Sequence, residues 1–233
     1  MNHSKPELLA PAGGMEQFAY AIHFGADAVY LACDKFGLRT RASNFSLEEL
    51  PQAVAYAHNH GVKVHVTCNV YAHDADIAQL PAYAQAIQAA GVDAVIVSDL
   101  GVLAVIREHA PAVEVHVSTQ ASVSNAAAAR VWYELGARRV VCAREMSLAE
   151  IAAMKRELPS DMQLEVFVHG AMCMAISGRC LISDHLTGRA ANQGNCVQPC
   201  RWRYDLVEES RPDERFGIEE DSRGTYLMNS KDL

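Results

Sequence analysis

The chain has 233 residues, half of them apolar and 21% charged, so it can bury one large core, and intrinsic disorder is excluded. Its formal net charge of −8 argues against a free-standing nucleic-acid-binding module, because phosphate contacts need a clustered positive surface. Without a run of 18 apolar residues or an apolar signal core, the sequence favours a cytoplasmic protein that does not span a membrane.

Seven short apolar segments predict the strands of a sheet. Four of them share one form, a helix-ending glycine followed by a β-branched run, at residues 25–31, 61–67, 91–97 and 136–142. Three more lie at residues 8–10, 113–117 and 164–168. All seven are too uniformly hydrophobic to have a wet face, which is typical of parallel strands covered on both sides.

Helical patterns separate these segments. Apolar stripes lie at residues 50–57 and 77–87, and two capping boxes, Ser46 with Glu49 and Ser147 with Glu150, predict helix starts. Strict alternation of strand and helix indicates an α/β fold, specifically a TIM-type (β/α)8 barrel rather than a doubly wound sheet. Only seven strands are present, so the barrel is predicted to be incomplete.

The predicted organisation has three parts. Residues 1–170 form the main part of the barrel, and residues 171–207 form a cysteine-rich loop after strand seven. Residues 208–233 form a charged linker and the start of the next βα element, including a short strand at 225–228 and a helix cap at Asn229. The chain ends before the barrel closes, which predicts a missing C-terminal part of the same protein.

Four cysteines, Cys173, Cys180, Cys196 and Cys200, lie within 28 residues of one another in this loop. Four thiolates on a glycine-rich segment are typical of an iron–sulfur cluster. A structural zinc site usually has a tighter cysteine pair, and two disulfides would need an oxidising compartment. Unrelated buried thiols are a further alternative, and the spacing alone leaves all four open.

Several motifs resemble the U-32 peptidase family, also called collagenase-like peptidases. The longest covers residues 165–183, from Glu-Val-Phe-Val-His-Gly to Gly-Arg-Cys-Leu-Ile-Ser. Residues 195–202 and 226–233 resemble two further blocks, and residues 6–13 and 25–30 are similar to the opening strands. The resemblance spans the whole chain and is strongest to the branch that hydroxylates tRNA.

This resemblance implies more than proteolysis. Branches of the family carry a 4Fe-4S cluster and hydroxylate the wobble uridine of tRNA with prephenate as co-substrate, or act on ribosomal RNA or ubiquinone precursors. It implies that Cys173, Cys180, Cys196 and Cys200 are the cluster ligands. The expected function is therefore 5-hydroxyuridine formation in tRNA. The alternatives are a collagenase-like peptidase, oxygen-independent hydroxylation of rRNA or of ubiquinone precursors, and a non-catalytic scaffold.

Residues at the carboxyl ends of barrel strands are the other candidates, because barrel enzymes carry their chemistry there. If the chain hydroxylates tRNA, four of these residues are expected to handle protons or orient the base: His116, Gln120, Glu145 and His169. His116 and Ser118 alternate along one strand and are expected to point inward, although a satisfied core histidine is an equal alternative.

Three arginines are candidates for binding the small anionic co-substrate. Arg39 and Arg41 follow strand two, and Arg144 follows strand six. An arginine at a barrel mouth is suited to clamp a carboxylate. A solvated loop is the simpler explanation for Arg39 and Arg41, and a surface ion pair is the alternative for Arg144 and Glu145.

Overall fold

The computed structural model describes residues 5–37, 44–170, 173, 175–176 and 180–216. Within these residues strands and helices alternate as predicted. The parallel strands are β1 Leu9–Ala12, β2 Ala28–Leu31, β3 Lys63–Cys68, β4 Ala94–Val97, β5 Glu114–Val117, β6 Arg139–Val141 and β7 Gln163–Glu165. The helices are α1 Met15–His23, α2 Leu50–Asn59, α3 Asp74–Ile77, α4 Leu80–Ala89, α5 Leu100–His109, α6 Ala126–Glu134, α7 Leu148–Glu157 and α8 Ile182–Thr187.

Each strand of the sheet pairs in parallel with the next one along the chain, in the order β1 to β7. A doubly wound sheet would reverse its strand order once, and this sheet does not. The prediction of an incomplete (β/α)8 barrel with seven strands is therefore confirmed. The four repeat glycines, Gly25, Gly61, Gly91 and Gly136, have positive φ angles of 72° to 103°, as a helix-ending glycine requires.

The sheet is strongly curled. Glu7 precedes β1, yet its Oε1 lies 2.7 Å from Nη1 of Arg139, the first residue of β6. In a flat sheet five strand spacings would separate these positions by about 24 Å. Glu7 Oε2 also lies 3.8 Å from Nζ of Lys63 at the start of β3. One carboxylate therefore reaches two distant strands from inside the open barrel.

The two faces of the sheet differ in chemistry. The rings of His65 and His116 meet inside the barrel, with centroids 4.7 Å apart. Because side chains alternate along a strand, Thr67 and Asn69 follow His65 on the inner side. The outer side packs against the helices through valines that are fully buried: Val29, Val64, Val66, Val95, Val97, Val117 and Val140. The main apolar core thus lies between sheet and helices, and the barrel interior holds buried polar groups beside apolar ones such as Ile96 and Val141.

Helix starts follow the predicted caps. Ser147 and Glu150 form the capping box before α7, with Ser147 accepting from the Glu150 N–H at 3.3 Å. Ser46 and Glu49 exchange the same bonds just before α2. The apolar stripe predicted at residues 77–87 is divided between α3 and α4. None of the helices in the described part of the chain is long and apolar enough to cross a membrane.

Two predicted segments differ from the structure. Strand β7 ends at Glu165 rather than at residue 168, and Val168 beyond it is 78% exposed. Where the sequence predicted a charged linker from residue 208, strands β8 Leu206–Glu208 and β9 Arg211–Phe216 form an antiparallel hairpin. A two-residue turn joins the two strands. The backbone hydrogen bonds between the strands then stabilise a segment that has few apolar residues to bury. The strand predicted at residues 225–228 and the cap at Asn229 lie outside the described residues.

Candidate active site at the carboxyl ends of the strands

The carboxyl ends of β3 to β5 bring polar side chains to one edge of the barrel, which we call the mouth. Asn69 follows β3, Ser98 follows β4, and Ser118 follows β5. The Ser98 hydroxyl donates to the backbone carbonyl of Asn69 at 3.3 Å. The Ser118 hydroxyl donates to Oε1 of Gln120 at 3.2 Å. The mouth is therefore lined by groups that can donate to and accept from a polar ligand.

Arg144 lies at the same edge, after β6. Its guanidinium carbon lies 4.8 Å from the ring centroid of Phe167, and that ring is partly exposed. Stacking uses the flat face of a guanidinium, so the N–H groups on its rim can still bind a carboxylate. Arg144 is thus placed where an anionic ligand could meet it.

The loop over residues 180–201 folds as a unit next to the mouth. Helix α8 packs against two 3-10 turns, Ala191–Gln193 and Pro199–Arg201. The backbone N–H of Cys180 donates to Oδ1 of Asn192 at 3.1 Å. The backbone carbonyl of Asn192 accepts from the N–H of Tyr71 at 3.3 Å. Asn192 therefore joins the cysteine loop to the carboxyl end of β3.

The four cysteines of this region differ in exposure. Cys173 and Cys196 are exposed, and Cys180 and Cys200 are half-buried. The backbone N–H of Gln198 donates to the sulfur of Cys196 at 3.2 Å, a contact of the kind that tunes iron–sulfur clusters. None of the seven cysteines is in a disulfide.

Four soft sulfur donors fit a 4Fe-4S cluster in their chemistry. Within the part of the chain that the structure describes, however, no three cysteine, histidine, aspartate or glutamate side chains converge as a metal-binding group. The assignment of Cys173, Cys180, Cys196 and Cys200 as ligands of one cluster stays a prediction.

Of the other predicted site residues, only some lie at the mouth. Gln120 and Arg144 lie at the mouth. Glu145 is exposed beside Arg144, and His169 is exposed four residues beyond the end of β7. Arg39 and Arg41 lie outside the described residues. The catalytic and co-substrate roles assigned to these side chains stay predictions.

His116 lies away from the mouth. It is the third residue of β5, it is 1% exposed, and its Nε2 lies 2.8 Å from Oε1 of Glu114 at the start of the strand. The inward direction was predicted correctly, but its position toward the amino end was not. One ring nitrogen of His116 is thus paired within the protein, and the catalytic role assigned to His116 stays a prediction.

A polar cavity of about 160 Å³ opens at this amino end of the barrel. Its lining residues are Lys63, His65, Asp93, Ala94, Glu114, His116 and Arg139. Nδ1 of His65 and Nδ1 of His116 are buried there without a hydrogen-bond partner. Arg139 bridges Glu7 at 2.7 Å and Glu165 at 3.3 Å, and also donates to Gln163. We call the group Glu7, His65, Glu114, His116, Arg139, Gln163 and Glu165 the amino-end network.

Burial and charge set the protonation of this network. Burial lowers the pKa of His65 to about 3, and the nearby charges of His116 and Arg139 act in the same direction. Burial also lowers the pKa of His116, against the opposing effect of Glu114. Burial raises the pKa of Glu165. Burial would raise the pKa of Glu7 as well, but the hydrogen bond and charge of Arg139 hold it below its usual value.

The amino-end network therefore contains neutral imidazoles around an ion-paired arginine. Polar groups at the amino end of a barrel serve stability, whereas those at the carboxyl end serve chemistry. The cavity is thus part of the barrel's support, and the mouth is the candidate active site.

The three remaining cysteines are buried at strand ends. Burial raises the pKa of Cys33 and of Cys142 to about 11, and it raises the pKa of Cys68 as well. Thiols with raised pKa values hold little thiolate at neutral pH and are poor nucleophiles. Sequence reasoning missed two mouth residues, Asn192 and Tyr71. Asn192 makes one side-chain and one backbone contact and Tyr71 makes a backbone contact, and no sequence motif indicates any of the three.

The family model described as Peptidase family U32 matches residues 13–233. The chain belongs to this family. It is 46% identical to "tRNA hydroxylation protein P1" of Bacillus subtilis over 231 residues, covering 98% of this chain and 54% of that protein. It is 37% identical to "tRNA hydroxylation protein P" of Escherichia coli, covering 98% of this chain and 59% of that protein.

Other members have different names. The chain is 37% identical to "Collagenase" of Porphyromonas gingivalis, covering all of this chain and 57% of that protein. The solved structure of the U32 peptidase Mk0906 matches with a TM-score of 0.63 at 18% identity, covering 94% of this chain and 89% of that one, which supports the fold. The chain spans between about half and three fifths of the curated relatives it matches.

Proposed function

We propose that this U32 chain carries the barrel part of an iron–sulfur enzyme that hydroxylates the wobble uridine of tRNA at C5, with prephenate as co-substrate. The observation that carries the proposal is the similarity to two tRNA hydroxylation proteins over 98% of the chain. Four cysteines within 28 residues, none of them in a disulfide, support the cofactor. We also propose a cytoplasmic location, because the enzyme must meet tRNA.

The chemistry divides between cofactor and chain. Replacing the C5 hydrogen of uracil by a hydroxyl removes two electrons from the base, so the proposed co-substrate would have to take up those two electrons. A 4Fe-4S cluster, when bound, would supply electron-transfer chemistry that side chains lack. Cys173, Cys180, Cys196 and Cys200 would hold it. Arg144 would bind a carboxylate of prephenate through the rim of its guanidinium. Gln120 would orient a polar group of either substrate at the mouth.

Substrate binding must be local. The net charge of −8 does not favour broad contact with a polyanion, so we propose that one flipped nucleotide enters the mouth while the rest of the tRNA is held by other parts of the protein.

Two measurements test the proposal separately. Mass spectrometry of tRNA nucleosides from cells lacking the complete gene should show loss of the 5-hydroxyuridine family, restored by the wild-type gene. The protein purified without oxygen should be brown and contain about four iron and four sulfide per chain. Unchanged nucleosides would refute the substrate, and a colourless, iron-free protein would refute the cofactor.

The second candidate function is a peptidase, favoured by the similarity to the Porphyromonas gingivalis protein named collagenase. The buried thiols support it poorly, because the raised pKa values of Cys33 and Cys142 disfavour a thiolate nucleophile. Gelatin cleavage by the purified, metal-chelated protein would favour this function over hydroxylation.

A further inference from the structure

We propose that Asn69 recognises the target base by pairing its carboxamide with the Watson–Crick edge of the pyrimidine. This inference rests on the proposed function and names the group that would select the base within the mouth. Asn69 follows β3 on the inner side of the barrel, where it continues the alternation of His65 and Thr67.

Four side-chain polar atoms are buried without a hydrogen-bond partner among the described residues: those of His65 and His116 lie at the amino end of the barrel, that of Tyr83 lies on α4, and that of Asn69 lies at the mouth. The atom of Asn69 is its side-chain carbonyl oxygen, Oδ1. Buried polar atoms in folded proteins nearly always have a partner, so one without a partner needs an explanation. At the carboxyl end of a barrel strand, the simplest explanation is a partner that arrives with the substrate.

The backbone around Asn69 is fixed from three directions. The carbonyl of Asn69 accepts from the Ser98 hydroxyl at 3.3 Å, which joins it to the end of β4. The N–H of Val70 donates to the carbonyl of Phe36 at 3.2 Å, and the N–H of Tyr71 donates to the carbonyl of Asn192 at 3.3 Å. These contacts hold the segment to the loop after β2 and to the cysteine loop. A carboxamide carried on such a segment is preorganised for a ligand.

The chemistry of the carboxamide suits a pyrimidine. An amide presents one acceptor and, beside it, two donor hydrogens. The edge of uracil presents an N–H donor beside a carbonyl acceptor, so the two can form a pair of parallel hydrogen bonds. Enzymes that act on a flipped base read it in this way, through its Watson–Crick edge.

The location agrees with the reaction. Asn192 accepts from the Cys180 N–H through its side chain and from the Tyr71 N–H through its backbone. Asn69 is two residues from Tyr71, so a base held by Asn69 would lie next to the loop that carries the predicted cluster ligands. The residue that recognises the base and the loop that carries the predicted cluster ligands would thus be joined through Tyr71 and Asn192.

The test uses the complete gene that contains this chain, expressed in cells from which that gene has been deleted. Asn69→Ala removes the carboxamide, and Asn69→Asp keeps its size but replaces the donor with an acceptor. Asn59→Ala is the matched control, because Asn59 lies on the exposed end of α2. We measure 5-hydroxyuridine in tRNA, iron per chain and the thermal midpoint of each purified protein.

Both Asn69 variants should lower 5-hydroxyuridine by roughly ten- to a hundredfold, the effect of losing buried hydrogen bonds to a substrate. Iron content and thermal midpoint should match the wild type, and Asn59→Ala should form the product normally. Wild-type product levels in Asn69→Ala would overturn the inference, as would a loss that parallels iron loss or unfolding. If the wild-type gene restores no product, the proposed function fails, and the inference fails with it.

Discussion

Arg139 is the residue whose removal should most weaken the barrel. Its side chain is 7% exposed and joins three strands, since it contacts Glu7 before β1 and both Gln163 and Glu165 on β7. The substitution Arg139→Met keeps most of the volume but leaves Glu165 without its cation and leaves Glu7 with only Lys63, 3.8 Å away. Removing one partner of a buried ion pair costs about 3–5 kcal/mol.

The exposure of the two carboxylates refines this magnitude. Glu7 is 28% exposed and Glu165 is 19% exposed, so water can reach each of them in part. We therefore expect a loss near the lower limit, about 3 kcal/mol in the free energy of unfolding, measured by urea denaturation at pH 8. The loss should shrink at pH 5. Without the arginine, the pKa values of both carboxyls in the folded state rise above their unfolded values, and protonation then relieves the repulsion.

Arg130→Met is the control for this experiment. Arg130 pairs with Glu157 on the surface, with exposures of 48% and 62%. Exposed pairs of this kind contribute about 0–1 kcal/mol. If Arg139→Met cost no more than Arg130→Met, the argument that the amino-end network supports the barrel would be refuted.

Two further predictions concern protonation and thiol access. His65 has a pKa of about 3 in the folded protein against 6.5 when exposed, so its contribution to stability is complete above pH 6.5 and is lost as the pH falls toward 3. The loss should reach about 3 kcal/mol at pH 4.5, and His65→Gln should show a flatter urea stability profile from pH 7 to pH 4.5; parallel profiles would contradict this. In metal-free protein, iodoacetamide should label Cys173 and Cys196 first and leave Cys68 unlabelled until urea unfolds the chain, because only the first two are exposed. Peptide mass spectrometry reads the order, and early labelling of Cys68 would show that its burial is wrong.

The strands could be predicted from sequence because their signal is local. Four of the helices end at a glycine with positive φ that a β-branched run follows, so Gly61 and Gly91 mark their strands without knowledge of the fold. The end of β7 could not be predicted in this way. Val168 has strand chemistry, but the ladder stops at Glu165, and only pairing with a neighbour decides where a strand ends.

The position of a residue along the barrel axis was harder to predict than the direction in which its side chain points. Alternation predicted that His116 points inward, but His116 aligns with Ile96 and Arg139, in the half of the barrel that carries the amino-end network. The register of the strands depends on contacts between residues that are far apart in the sequence, and local sequence patterns do not predict those contacts. A local signal did exist: Arg139 is a charged residue at the start of an apolar strand, and a buried charge in that position needs a partner.

The separation of the two barrel ends decides how experiments at the mouth can be interpreted. His65 is the member of the amino-end network on β3, and Asn69 lies four residues further along the chain, a distance of about 13 Å. Sites more than about 10 Å apart that share no partners change stability additively. Substituting Asn69 should therefore leave the ion pairs of Arg139 intact, and Arg139→Met should leave the carboxamide of Asn69 in place. A loss of product in Asn69→Ala without a loss of stability would then belong to the mouth, because the network that supports the barrel is too far away to transmit it.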